Sequence, residues 1–274
     1  MLSFKGHAFN QAPDSQNQIH SDEMAQQYGF RGGLVPGVTL SAYLTQPAVT
    51  HWGLSYLQRG QGAIKILRPV YHEEAIEIVV NATSDRAYTA ELMNSEGEVR
   101  AIAKVSLAEA HDLPEPPARQ SLPRLSLDYR PPLASPETFA RLKSQGTYEA
   151  HYRWSRDHSM ANYFAKAEEM PALLGFTKLS DNTGGFANTS FLLGCGNWVF
   201  ASNAAMNPWV HLETQHQWYR PVVEGTEVAA QLTVEGLFEK KGHQFADVRV
   251  NLFDAASSQA LASIWQRAIY QLRR

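Results

Sequence analysis

Asn17 and His20 stand three residues apart in Asp14-Ser-Gln-Asn17-Gln-Ile19-His20-Ser-Asp22-Glu-Met-Ala25, and a glycine-rich run, Gly29-Phe30-Arg-Gly-Gly-Leu-Val-Pro36-Gly37, follows at once. Imidazole exchanges protons near neutral pH, so His20 is the candidate general acid or base of the chain. Asn17 is either its polar partner or a turn former, because Asn readily bonds its own backbone. Asp14 is the nearest upstream carboxylate, a candidate catalytic group or else a solvated loop residue after Pro13. Gly37 opens a long apolar helical pattern whose first N–H groups lack intrahelical partners, which suits a developing oxyanion. The plain alternative for Gly37 is a helix-entry glycine.

These groups need elements to hold them. Ser21 is placed to cap a short helix, with Asp22 and Glu23 in its first turn. The long helix after Gly37 is expected to fray or bend at Pro47 and to stop by Gly60-Gln-Gly62. Strand patterns follow at 63–70, 75–80, 88–93 and 99–107, with turns at His72-Glu-Glu and Asn94-Ser-Glu-Gly97, the order of an antiparallel meander. From 111 to 136 seven prolines crowd together, which reads as an extended linker.

Beyond the linker the order repeats. Residues 148–154 read as a strand, 159–170 as helical, a second long helical pattern runs from Gly184-Gly185 to Met206, and strands return at 234–238, 245–253 and 260–272. Arg68-Pro69-Val70 is echoed by Arg220-Pro221-Val222 at an offset of 220 − 68 = 152, which points to a duplicated domain. Nothing in the second half matches Asn17, Ile19 and His20, so one half carries the candidate site.

A chain of 274 residues accommodates two domains of about 130, each large enough for its own core. With 44% hydrophobic and 19% charged residues, a net charge of −3 and no basic run, the composition is that of a soluble globular protein and not of a nucleic-acid binder. The amino terminus lacks an apolar leader, and no run is long enough for a bilayer span, so no membrane partner and a cytoplasmic location are expected. The single cysteine, Cys195, lies in an apolar stretch and reads as a packing residue. Ten histidines invite a metal reading, but neither His151 with His158 nor His211 with His216 has ligand spacing, so no metal is expected. No Gly-x-Ser-x-Gly elbow, P-loop or dinucleotide fingerprint is present.

The Asn17 to His20 spacing, the glycine-rich loop and Gly37 resemble the (R)-specific enoyl-CoA hydratases, the MaoC-like or hydratase 2 family, in its double hotdog form. The resemblance implies an α+β double hotdog, two long helices each wrapped by a curved antiparallel sheet, with the halves packed as a pseudo-dimer and the site between them. It divides the chain into an N-terminal hotdog domain (1–110) carrying the motif, the proline-rich linker (111–136) and a degenerate hotdog domain (137–274). The family places an aspartate five residues before the histidine and an asparagine three before it; here Asn17 conforms, Ser15 holds the aspartate position and Asp14 comes one place too early. Pro36 stands where the family usually has histidine. The implied activity is hydration of trans-2-enoyl thioesters, or dehydration of 3-hydroxyacyl thioesters, on coenzyme A or acyl carrier protein, with no added cofactor and homodimerisation open. His20, Asp14 and Asn17 would be catalytic and Gly37 the oxyanion donor. Arg31, Lys65, Arg68, Arg220, Lys240 and Lys241 are candidates for coenzyme A phosphates or ordinary surface charges. The alternatives are an acyl-CoA thioesterase and an inactive acyl-thioester binding protein.

Overall fold

The computed structural model describes residues 3–176 and 184–273. The first half runs β1 (Phe4–His7), α1 (Asp22–Gln27), α2 (Gly37–Trp52), α3 (Leu54–Arg59), β2 (Gly60–Ile66), β3 (Ala75–Ser84), β4 (Ala87–Asn94) and β5 (Val99–Leu107). The second runs α4 (Pro136–Gln145), β6 (Ala150–Arg153), α5 (Thr189–Asn203), β7 (Val210–Trp218), β8 (Glu227–Lys240), β9 (His243–Asp254) and β10 (Ala260–Gln271). The ten strands join one sheet of order β1-β3-β4-β5-β2-β7-β10-β9-β8-β6. Every strand pairing is antiparallel. Read inward from either edge, the two halves have the same order.

The halves meet where β2 pairs with β7. Ala63 lies opposite Gln215, flanked by Gln61 opposite Gln217 and Lys65 opposite Glu213. Since 215 − 63, 213 − 61 and 217 − 65 all equal 152, a pseudo-two-fold axis passes through the Ala63–Gln215 pair at the offset of the Arg-Pro-Val echo. Side chains reinforce the seam: Gln61 Nε2 donates to Gln217 Oε1 at 2.7 Å, and Lys65 Nζ lies 2.8 Å from Glu213 Oε1. The echo itself has a job. Val70 C=O accepts from Val35 N–H at 2.8 Å, and Val222 C=O accepts from Ala187 N–H at 2.9 Å, each just ahead of a long helix.

Helices α2 and α5 are apolar around nearly their whole circumference, so they sit inside the curved sheet and pack on each other. The expectation of a separate core in each half is not met. One connected apolar core runs through both, from Tyr43, Tyr56 and Tyr88 to Phe191, Phe200 and Trp218, because each helix covers the other's open side. Pro47 does not end α2, which continues to Trp52. The helix expected at 159–170 is replaced by turns and a 3-10 turn at Ala167–Glu169. Its carbonyls are taken by distant side chains: Asn188 Nδ2 donates to Met160 and Ala161, Gln11 Nε2 to Asn162, and Tyr43 Oη to Tyr163. A backbone whose acceptors are used this way has no need of the helical ladder. The short elements β1 and α4 are additional to those read from the sequence.

The proline-rich segment holds no named helix or strand before α4 begins at Pro136. From Arg119 onward it is stapled along the β6 edge, with Leu125 N–H bonded to Glu149 O and Glu149 N–H to Pro123 O, both 2.9 Å. That cover protects an edge strand from pairing with other chains. The buried Glu149 carboxylate anchors it, accepting from Arg119 Nη2 at 2.6 Å, His151 Nε2 at 2.6 Å and Gln231 Nε2 at 2.8 Å. Burial alone would raise its pKa, but the hydrogen bonds from Arg119, His151 and Gln231 outweigh burial and hold it at about 2.

A carboxyl whose folded pKa lies below its ordinary 4.5 adds stability above pH 4.5, and loses it as pH falls from there toward 2. Glu149→Gln should therefore unfold at lower denaturant concentration than the parent near neutral pH, with the gap closing across that acid window. Parallel denaturation profiles for the two proteins over the same pH range would contradict this role.

Candidate active site

The glycine-rich loop exists to bring a carbonyl to His20. A Cβ on Gly33 would lie 2.2 Å from the His20 carbonyl oxygen, so only glycine lets the loop lie against that backbone. Asp22 clamps the same point by accepting from Gly33 N–H at 2.7 Å, a use of this carboxylate beyond the helix-end charge expected of it. Ser21 does not cap α1, since its Oγ instead donates to Gln18 O at 2.8 Å. Leu34 N–H then bonds Ile19 O at 3.1 Å, and Leu34 O lies 2.7 Å from His20 Nδ1. A carbonyl only accepts, so Nδ1 carries the proton and Nε2 presents its lone pair. Burial pulls the imidazole below the ordinary histidine pKa, with the Leu34 bond partly opposing, and the ring is neutral at pH 7.

Asn17 is held by the other half of the molecule. Its Nδ2 donates to Trp209 O at 3.0 Å and its Oδ1 accepts from Trp209 N–H at 3.1 Å. Next to it, Gln18 N–H donates to Asn207 Oδ1 at 3.0 Å, and Asn207 Nδ2 to Gln18 Oε1 at 2.9 Å. This four-bond clasp fixes the motif loop against the segment before β7. Asn17 Nδ2 stands 3.5 Å from His20 Nε2, too long for a strong bond, so its main commitment is to the Trp209 backbone.

Two cavities meet at these residues. The inner one, about 130 Å³, is lined mainly by apolar side chains such as Phe30, Leu34, Leu40, Ile66, Val70 and Leu212. The outer one, about 530 Å³, includes Asp14, Ser15, Trp198, Met206 and Pro131 of the linker. Asn17, His20, Asn197 and Trp209 line both. Gly37 borders the inner cavity, and its missing side chain matters, because a Cβ would lie 2.4 Å from Ile66 Cδ1. The cap residue of α2 is Pro36, with no side-chain cap, and among the described residues the N–H groups of Gly37 and Val38 have no hydrogen-bond partner. The first two N–H groups of α5, of Thr189 and Ser190, are likewise without a partner among the described residues, but there side chains fill the entrance: Asn188 Oδ1 accepts from Phe191 N–H at 2.9 Å, and Thr189 Oγ1 meets Thr45 Oγ1 at 2.9 Å.

Of the residues singled out from sequence, Asn17, His20 and Gly37 converge on the inner cavity. Asp14 and Ser15 line only the outer one; Asp14 is exposed, and Ser15 Oγ donates to Asn17 O at 3.0 Å. Among the described residues no hydrogen bond joins Asp14 to His20. Three candidate phosphate-binding cations are already paired, Arg31 with Glu74, Lys65 with Glu213 and Arg68 with Glu98. Asn197, Trp209 and His211 complete the lining and come from the half without the motif. Their one sequence signal is polarity, since Asn197 is an amide in the middle of an apolar helical run. Cys195, two residues before Asn197, is buried and its thiol pKa is pushed up, an inert packing group. No group of three or more His, Cys, Asp and Glu side chains suited to a metal occurs among the described residues, and no described helix is long and apolar enough to cross a membrane.

No protein-family model matches the sequence, and no curated protein matches it. Solved structures do match along nearly the whole length. A MaoC-like dehydratase superposes with a TM-score of 0.55 at 13% identity, covering 98% of this chain and 98% of its own. A Mycobacterium tuberculosis protein described as a double hotdog gives 0.56 at 11% identity, covering 98% of this chain and 95% of its own. The chain is a double hotdog. The tesB protein of Mycobacterium avium subs paratuberculosis is also similar, with 0.53 at 10% identity over 98% of this chain and 93% of its own. At such identities the likeness is one of fold, and the double hotdog hosts more than one chemistry.

Gly33→Ala tests the loop's purpose. The new methyl collides with backbone, which cannot swing aside, so stability should fall by about 1–3 kcal/mol, as for an overpacked site. In NMR the His20 Nδ1 proton should lose the signature of its bond to Leu34. Gly97→Ala, at a glycine whose added Cβ would meet nothing within 4 Å but whose φ is 76°, controls for backbone strain alone and should leave the His20 signal in place.

Proposed function

We propose that this double hotdog hydrates trans-2-enoyl thioesters, and in reverse dehydrates 3-hydroxyacyl thioesters, at the junction of its two cavities. The observation that carries the reading is the neutral His20, with Nδ1–H held by Leu34 O and Nε2 facing the cavity that the uncapped end of α2 also borders. The outer cavity receives the pantetheine arm of coenzyme A or acyl carrier protein, and the small apolar inner cavity receives the acyl chain. No further cofactor is needed.

In this mechanism His20 Nε2 removes a proton from water as the water oxygen bonds to Cβ of the enoyl group. The π electrons move toward the thioester carbonyl, whose oxygen takes up negative charge as an enolate and is met by N–H groups at the start of α2. The enolate collapses, and the His20 imidazolium returns the proton to Cα. One water has then been added across the double bond, and His20 is neutral again. Asn17 positions the loop through the Trp209 backbone. Ser15 in the position of the family aspartate leaves His20 as the single base, with Asp14 outside the reacting centre.

His20→Ala should lower crotonyl-CoA hydration by roughly 10²–10⁴-fold while unfolding like the parent, the range for removing a general acid-base group. The base works unprotonated, and its pKa lies below 6.5, so kcat/KM in the parent should hold through neutral pH and fall only below 6.5. A full-rate mutant, or an acid limb centred above 6.5, would refute the assignment.

The missing carboxylate also favours a second reading, an acyl-CoA thioesterase, because one base and one oxyanion site suffice to direct water at the carbonyl carbon. Free coenzyme A released from butyryl-CoA, without consumption of the conjugated double bond of crotonyl-CoA, would select it. The register of the loop gives a further test. Ser15→Asp should raise hydration by supplying the carboxylate in the lining, whereas Asp14→Asn should stay close to parent turnover; the reverse pattern would move Asp14 into the mechanism.

A further inference from the structure

The degenerate half faces the active site with one polar side chain whose purpose the fold does not explain. Asn197 lies in the middle of α5, whose other core-facing residues are mainly apolar or small, and it lines both cavities beside His20. Its Oδ1 is 3.2 Å from His211 Nδ1. His211 Nε2 in turn hydrogen-bonds Thr214 Oγ1, and the residue is buried, with burial outweighing a backbone bond and drawing its pKa down to about 4. With the amide oxygen placed toward Nδ1, the chain of donors runs from Thr214 O–H to His211 Nε2 and from His211 Nδ1–H to Asn197 Oδ1. With its oxygen held in this way, the Asn197 amide must turn Nδ2 the other way. Among the described residues Nδ2 has no hydrogen-bond partner, yet it is not among the buried, unsatisfied atoms, so it is accessible, on a residue that lines both cavities.

The internal duplication shows that this arrangement is a departure from symmetry. At the offset of 152, Asn197 corresponds to Thr45 (197 − 45) and Gly37 to Thr189 (189 − 37). On the closed side, Thr45 and Thr189 bond to each other and fill the space. On the open side the same two positions hold an amide and a glycine, and no side chain at Gly37 can satisfy the amide. His211 packs at this point, with Cβ and Cγ 3.4 Å from where a Gly37 Cβ would stand, so the relay brings Asn197 to the mouth of α2.

We propose that the Asn197 carboxamide is a substrate-binding donor to the thioester carbonyl oxygen, acting beside the N–H groups at the start of α2 and oriented by His211 and Thr214. The inference rests on the hydratase reading and deepens it. It makes the motif-free half a contributor to the chemistry, and it identifies the recognised group as a carbonyl whose oxygen gains charge during reaction. His211 and Thr214 are positioning residues, since they reach the substrate only through Asn197.

The test compares the full-length parent with Asn197→Ala, Asn197→Asp and Thr214→Val. Crotonyl-CoA hydration is followed for kcat and KM, and binding of butyryl-CoA, which has no double bond to hydrate, by calorimetry once release of free coenzyme A from it has been shown to be absent. A donor that tightens on the charged oxygen should cost about 10²–10³-fold in kcat when removed, with butyryl-CoA affinity changed far less. Asn197→Asp keeps the shape but turns an acceptor toward the oxygen, and should lose at least as much as alanine. Thr214→Val, which leaves Asn197 in place but frees the His211 ring, should lose an intermediate amount. Unchanged kcat in both Asn197 variants, in a parent that hydrates, would overturn the inference alone. So would a loss of turnover matched by an equal loss of butyryl-CoA binding and of thermal stability, since that marks a packing residue. A parent that neither hydrates crotonyl-CoA nor binds butyryl-CoA would remove the hydratase reading and this inference with it.

Discussion

The antiparallel pairing of β2 with β7 about Ala63 and Gln215 is the constraint on which the rest of the molecule depends. Because an antiparallel ladder maps onto itself under a two-fold rotation, one pairing at an offset of 152 residues places everything else in matched positions. Two sheets become one, and two apolar helices, each of which would leave one side in water, cover each other. The single core explains why neither half reads as self-sufficient in the folded protein. It also explains the economy of the linker, which has only to reach the β6 edge and be held there by Arg119 and Glu149.

Duplication makes two helix entrances, and the structure closes one of them. At α5 the entrance is filled by the Asn188 cap and the Thr45 to Thr189 pair, a set of short polar side chains that satisfy one another. At α2 the corresponding places hold Pro36, Gly37 and Asn197, which leave the space unfilled, and Gly37 and Asn197 line a cavity. Unsatisfied donors are costly in a sealed interior and are tolerated where water or a ligand can reach them. The two entrances therefore differ in the space their side chains leave, and only the one at α2 borders the cavity beside His20.

His20 shows how a backbone contact sets chemistry. Its tautomer is fixed by a carbonyl, the carbonyl by a loop, and the loop by a glycine that has no room for a side chain. The second half adds the clasp on Asn17 and Gln18, so the motif is held from both sides of the pseudo-two-fold. A rigid, neutral imidazole with one exposed lone pair follows from these contacts without any partner carboxylate.

Much of this was legible in the chain itself. The Arg-Pro-Val echo revealed the duplication, the alternating runs from 75 to 107 revealed strands, and two long apolar patterns revealed the buried helices, because burial on one face or on all faces leaves a period in the residue order. The spacing of Asn17 and His20 marked the loop. What the chain could not disclose is who stands opposite. Asn197, Trp209 and His211 lie nearly two hundred residues beyond His20, and their roles come from the β2 to β7 register, a long-range pairing that local pattern does not encode. The segment 159–170 has a helical composition, yet its carbonyls are claimed by Gln11, Tyr43 and Asn188, and only tertiary contacts could decide that competition. Asp14 and Ser15 are neighbours in the chain and both line the outer cavity, but one is exposed and the other bonds the backbone of Asn17. Periodicity is a property of one element, whereas a site is a property of surfaces that meet, and only the folded chain decides which surfaces those are.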